Sequence, residues 1–199
     1  MTVPEDVLAA ALAATTPEGL IAAPMAILHG RSGDPTAHLK PGALGPGQVQ
    51  FFVAGAFLVT PDGENLMLTG NSGFPPEQRR LCVPVDGGDP GRVIASGQPL
   101  LLEDTRRHSG FRQYLKTARM GSAAYAPLLR DGQCFGLIIV AALAGGTLGP
   151  ADLAVLVALA PVIARRWDGL DGPGWLAAEY ARAAAAGDLH LAGREGVGS

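Results

Sequence analysis

Apolar residues follow two different spacings along the chain. Between Thr15 and Gly30, Leu20, Ile21, Met25, Ile27 and Leu28 recur as on one face of a helix. Thr15-Thr16-Pro17-Glu18 gives that helix a start signal and Gly30 a stop. A shorter helix is expected over residues 2–14, where Thr2 and Glu5 have capping-box spacing and Pro4 stands in the first turn. Residues 31–48, rich in Gly and Pro, break both spacings and read as a long loop. From Val49 to Thr60 the pattern becomes β-like. Pro61-Asp62-Gly63 turns it, and Asn65 to Thr69 returns it as a hairpin.

Further strands are expected at Leu81–Val85 and Pro99–Glu103. Between them Asp89-Pro90-Gly91 opens a short helix, Arg92 to Ser96, which Gly97 closes. A helix over Gly110–Arg119 would place Phe111, Tyr114 and Leu115 on one face. Ser122–Leu129 and Cys134–Ala142 flank Arg130-Asp131-Gly132, the strongest hairpin signal in the chain. The second of these strands contains FGLIIVAA, apolar enough for a central buried strand. A helix from Gly149 to about Trp167 carries a stripe of Leu153, Leu156, Leu159, Ala160 and Ile163, with a kink expected at Pro161. A last helix, Trp175 to Ala186, precedes the tail LAGREGVGS, which is expected to fray. The fold class is therefore α+β: a central antiparallel or mixed sheet of about six strands, with terminal helices on one face and crossover segments on the other. Residues 1–168 are expected to form one domain, followed at 169–199 by a short helix and flexible tail.

With 48% apolar and 17% charged residues the chain can bury a core. A net charge of −3 with scattered basic residues carries no footprint for nucleic acid. No apolar run approaches the ~20 residues that span a bilayer, so no membrane partner is expected. The start MTVPEDVLAA has no basic leader pattern, and the two cysteines, Cys82 and Cys134, read as free thiols of a cytoplasmic protein.

Four pieces, in order, resemble the GAF domain family: "AFLVTPDGENLMLTG", "GFPPEQRRLCVPVDGGDPGRVIASGQPLLLEDT", "MGSAAYAPLLRDGQCFGLIIVAA" and "LGPADLAVLVALAPVIA". The resemblance covers about residues 15–168. It implies a pocket on one sheet face, under the segment between the fourth strand and the closing hairpin, here Asp104 to Met120. Family pockets take cyclic nucleotides, bilins, haem, amino acids or 2-oxo acids, and many members serve as dimerisation and relay modules.

Within that frame Arg106, Arg107 and His108 are either a cationic rim for a carboxylate or phosphate, or a solvated loop. Phe111, Tyr114 and Tyr125 either wall the pocket and stack on a flat ligand, or are ordinary core. His108 is also a candidate haem ligand, although no second diagnostic residue accompanies it. His29, His38 and His190 show no metal spacing.

One GAF branch reduces free methionine sulfoxide with low-pKa cysteines. Its thiol position in the Gly-rich turn here reads Asp89-Pro90-Gly91, and its thiol in the Asp104–Met120 segment is missing. Neither the Asn-Lys-x-Phe-x-Asp/Glu pattern of cyclic-nucleotide relatives nor a bilin-attachment cysteine is present, and no cofactor is assigned. Ser96 and Ser122 have no evident histidine partner.

The resemblance implies terminal helices that pack on the back of the sheet and often bundle with a second subunit; the Ala-rich first helix, with Ala9, Ala10, Ala11, Ala13 and Ala14, permits such close approach, either in a homodimer, which is the expectation, or against the protein's own helices. The resulting expectation is a non-catalytic cytoplasmic sensor that binds a small ligand, anionic or planar. With no kinase, cyclase, AAA+ or helix-turn-helix segment read here, its output is expected through dimer geometry or a partner protein. Alternatives are a ligand-free interaction module, a methionine-(R)-sulfoxide reductase-like enzyme and a haem sensor.

Overall fold

The computed structural model describes residues 2–108 and 119–192. The helix expected from Gly110, with Phe111 and Tyr114, lies outside these residues. Helix α1 (Glu5–Ala13) is capped by Pro4 with no side-chain bond, so the Thr2–Glu5 box does not form. Helix α2 (Pro17–His29) starts where the sequence places it: the Thr16 hydroxyl accepts from the Gly19 N–H at 3.1 Å.

Strand β1 (Phe52–Val59) pairs with β2 (Asn65–Ser72), which runs past the expected end at Thr69. The pairing steps from Ala56↔Thr69 to Ala54↔Ser72, a bulge centred on Gly70. Gly70 has φ +51°, and a Cβ there would lie 2.6 Å from Ile21 of α2. The bulge lets the strand continue while α2 packs close over it.

Strand β3 (Leu81–Pro84) leads into helix α3 (Gly88–Ser96), which begins earlier than expected, so that Asp89-Pro90-Gly91 form its first turn. A Cβ on Gly91 would meet the Asp86 carbonyl carbon at 2.5 Å, and Gly97 closes the helix with φ +61°. Strand β4 (Leu100–Leu102) is followed by a one-turn 3₁₀ helix at Thr105–Arg107. Strands β5 (Ser122–Arg130) and β6 (Gln133–Ala142) form the expected hairpin; Asp131 and Gly132 take φ +50° and +80°, as its two-residue turn requires. Helix α4 (Pro150–Gly169) is followed by α5 (Gly172–Ala186).

Strand β7 (His190–Leu191) pairs in parallel with β3, where the sequence predicts fraying from Leu191 onward. Two main-chain bonds hold it, His190 N to Arg80 O at 3.2 Å and Ala192 N to Cys82 O at 2.8 Å. Among the described residues the sheet order is β4-β5-β6-β1-β2-β3-β7, seven strands rather than about six.

Alternate strand residues feed two separate cores. On one face α1, α2, α4 and α5 cover Ala54, Ala56, Leu58, Met67, Cys82, Ala124, Ala126 and Ile138. Trp167 of α4, 1% exposed, stacks on Phe135 and meets Trp175 edge-on, and burying so large a ring stabilises the helix layer by on the order of 4 kcal/mol. The α5 helix is tied down by buried charge. Arg80, 2% exposed, sits 2.9 Å from Glu18 of α2 and 2.8 Å from Glu179 of α5, with Trp175 beneath its guanidinium. The Tyr180 hydroxyl adds a bond to Asp62 Oδ2 at 2.7 Å.

Candidate functional site

The opposite sheet face is lined by Val53, Phe57, Leu66, Leu68, Tyr125 and Ile139, with α3 contributing Val93 and Ile94. Phe57 and Phe74 meet edge-to-face at 6.5 Å, and Tyr125 is 3% exposed. Tyr125 thus stands on the face expected for a pocket. Strand parity divides the two small residues before it: Ala123 shares the face with Tyr125, but Ala124 points into the helix layer.

The stretch after β4 is stitched to this face at its start. Thr105, fully buried, donates its main-chain N–H to Gly121 O at 2.9 Å and its hydroxyl to Met120 O at 2.6 Å. Beyond that point the three expected rim residues part company. Arg106 is forked onto Asp104, Nε to Oδ1 at 2.9 Å and Nη2 to Oδ2 at 3.0 Å, and its Nη1 donates to the carbonyl of Gly42 in the long loop. The hydrogen bonding from Arg106 to Asp104 is the main reason the Asp104 carboxyl is held below its ordinary range, and the same pairing raises Arg106. Arg106 is therefore engaged as a clasp between two loops. Arg107, 86% exposed, reaches Asp104 Oδ2 only at 3.8 Å. His108 is exposed, with its main-chain N–H bonded to Thr105 O at 3.1 Å. Phe111 and Tyr114 lie outside the described residues, so of the six sequence candidates Tyr125 is the one that the structure places in the apolar face.

One polar group on α3 was read in the sequence only as part of a turn. Asp89 is 1% exposed; its Oδ1 takes Arg92 Nη1 at 2.9 Å, and its Oδ2 is sealed from solvent with no hydrogen-bond partner among the described residues. An acidic residue next to Pro in a first helical turn is common enough to carry no signal of its own.

The thiols are placed for packing. Cys82 is 1% exposed in the helix layer, and burial, with the Asp62 charge adding to it, pushes its thiol up to about 11. Burial also raises Cys134, whose Sγ lies 3.1 Å from Gly136 O. His29 Nε2 is 3.1 Å from Phe52 O. Among the described residues no cluster of three or more His, Cys, Asp or Glu could hold a metal ion, and no helix is long and apolar enough to cross a membrane.

Solved structures share this architecture. A free methionine-R-sulfoxide reductase from Neisseria meningitidis, solved with its substrate, superposes with a TM-score of 0.63 at 18% identity, over 84% of this chain and 87% of that one. The GAF domain of a phosphoenolpyruvate-protein phosphotransferase from Coxiella burnetii gives 0.60 at 19% identity, over 92% and 93%. A putative GAF sensor protein from Burkholderia vietnamiensis gives 0.58 at 17%, over 84% and 92%. At these identities the likeness is one of fold. Comparison with curated proteins gives no match. Residues 48–167 match the family model for the GAF domain, and since that span is more than half of the chain, the protein belongs to the GAF domain family.

Proposed function

We propose that this protein is a non-catalytic sensor or regulatory module that binds a small molecule on the face carrying Tyr125 and α3 and passes the binding event to its helix layer. The observation that carries the reading is the two-sided sheet. Strands β1, β5 and β6 present an aromatic and aliphatic wall to one side and seat α2 and α4 on the other. A ligand that settles on the wall and changes the strand geometry acts on the helices through the same residues' backbones. Exposed apolar side chains on the helix layer, Leu12 at 51% and Val157 at 43%, support output through a second copy or a partner protein. Unpaired Cys82 and Cys134 support a cytoplasmic setting.

Thermal-shift measurements on the full chain with metabolites, nucleotides and haem test the reading, and light scattering of the same samples tests dimerisation. A saturable rise in Tm is expected for at least one compound class. If no compound shifts the transition, the reading fails in favour of a ligand-free interaction module.

The Neisseria neighbour raises a second reading, reduction of free methionine sulfoxide. The raised thiols of Cys82 and Cys134 weigh against it, because the attacking species in such chemistry is the thiolate. A coupled sulfoxide assay is expected to give no turnover, and turnover abolished by Cys82→Ser would favour the enzyme.

A further inference from the structure

A cleft of ≈ 390 Å³ lies where the turn before β3 faces the turn between α5 and β7. Glu77, Arg79 and Arg80 line it from one side, and Arg182, Asp188 and His190 from the other. The second side lies beyond residues 48–167, which match the family, so the α5–β7 unit creates this cleft. Glu179 sets its geometry. Its Oε1 accepts Arg80 Nε and Arg182 Nη2, both at 2.8 Å, and its Oε2 accepts Arg182 Nε at 2.8 Å. Arg182 is thereby forked onto one carboxylate, and its remaining nitrogen, Nη1, reaches Asp188 only at 3.4 Å. Arg79, with a side chain 64% exposed, has Glu18 at 3.8 Å as its carboxylate neighbour and no side-chain hydrogen bond among the described residues. The His190 main-chain N–H is fixed on Arg80 O at 3.2 Å, while its ring has no partner among the described residues. Charge-assisted N–H bonds to oxygen close to about 2.7–2.9 Å. Three side chains around one cleft therefore carry N–H donors that the protein leaves unused or holds at long range.

We propose that this cleft binds the oxyanion group of a small metabolite, a phosphate or carboxylate, between Arg79 on the sheet edge and Arg182 and His190 on the α5–β7 unit. Arg182 is pre-set for the task, because its fork on Glu179 fixes the plane of the guanidinium and leaves Nη1 to reach outward. Glu77 and Asp188 on the same walls oppose an anion, so directed N–H bonds rather than net charge hold it. A bound oxyanion bridges the two sides and adds a hold on β7 beyond its two main-chain bonds. The site goes beyond the reading above. Three strands separate β3, at whose edge it lies, from β5, which carries Tyr125.

Hydrogen exchange of the full chain, read by mass spectrometry on peptides over residues 187–192, tests it. Inorganic phosphate and malonate are titrated separately, each against sodium chloride of equal ionic strength. At least one of the two is expected to slow exchange there saturably, by about threefold or more, with chloride inert. A response to phosphate alone assigns a phosphate ester, a response to malonate alone a carboxylate, and a response to both the shared oxyanion class. Arg79→Gln alters an exposed side chain and is expected to raise the half-saturating concentration about tenfold. Asp188→Asn is expected to lower it, because an opposing charge is gone and Arg182 Nη1 is released; a merely structural Arg182–Asp188 pair predicts the reverse. No slowing beyond the chloride control, a wild-type response from Arg79→Gln, or weaker binding by Asp188→Asn overturns the proposal. The Tyr125 face is tested by the thermal-shift screen, so either reading can fail alone.

Discussion

Replacing Arg80 by methionine is expected to destabilise the fold by about 3 kcal/mol. Arg80 is 2% exposed and lies within 2.9 Å of two carboxylates, Glu18 and Glu179. Removing a buried cation leaves its partners uncompensated, which costs about 3–5 kcal/mol where both partners are dry. The lower end applies because Glu18 is 30% exposed and Glu179, 13% exposed, keeps Arg182 at 2.8 Å. Urea unfolding followed by tryptophan fluorescence reads the change, since Trp167 and Trp175 sit 6.0 Å apart beside the cluster. With an m-value of about 2 kcal/mol/M, the midpoint should fall by about 1.5 M. Adding Glu179→Leu to Arg80→Met should recover part of that loss, because an apolar replacement no longer strands a charge on α5.

The same site has a pH signature. The hydrogen bond from Arg182, then that from Arg80, holds the Glu179 carboxyl down at about 2, against an ordinary value of 4.5. A carboxyl depressed on folding stabilises fully above its unfolded value and loses that contribution as pH falls through the folded one. Wild type should therefore lose stability between about pH 4.5 and 2 more steeply than Glu179→Gln. A midpoint for Arg80→Met within about 0.3 M of wild type, at an unchanged m-value, would refute the argument that this cluster holds α5.

Other expectations follow from the loops and thiols. At pH 8 a thiol pushed up to about 11 is ionised in about one molecule in a thousand, so Cys82 should react with a disulfide reagent only as the protein opens; rapid labelling of native Cys82, located by mass spectrometry, contradicts this. Arg106→Gln should change stability by only about 0–1 kcal/mol, since the side chain is half exposed, yet speed hydrogen exchange across residues 31–48 by releasing the Gly42 carbonyl; unchanged exchange there removes the clasp. Gly70→Ala should cost about 2 kcal/mol or more in chemical unfolding, because its Cβ would meet Ile21 and the backbone of α2 at a positive φ; a neutral result means that α2 can shift freely over β2.

The parts legible in the sequence were those written in local chemistry. Arg130-Asp131-Gly132 announces a hairpin because few residues take positive φ in succession, and Thr16 and Gly97 mark helix ends through their own side chain or lack of one. Strand β7 was missed because His190-Leu191 gains its partner from Leu81-Cys82, far away in the chain, and leaves no periodic trace of its own. The site was harder still. Tyr125 could be placed from its strand, but the doublet Arg106-Arg107 looks the same whether its guanidiniums face a ligand or clasp Asp104 and Gly42. Likewise, nothing local to Asp89 discloses that the helix buries one oxygen without a donor.

The β5–β6 hairpin has a consequence for how the molecule keeps its two sides apart. Pairing runs Arg130↔Gln133 and Leu129↔Cys134, then skips Phe135 and resumes at Leu128↔Gly136. The skipped residue is the one that stacks on Trp167. A slip of a single residue would exchange the faces of everything upstream, sending Tyr125 among the helices and Ala124 and Ala126 to the wall. The turn and the aromatic pair thus act together as an alignment pin, so the identity of the binding surface is decided at the far end of the ribbon, by residues that never touch it.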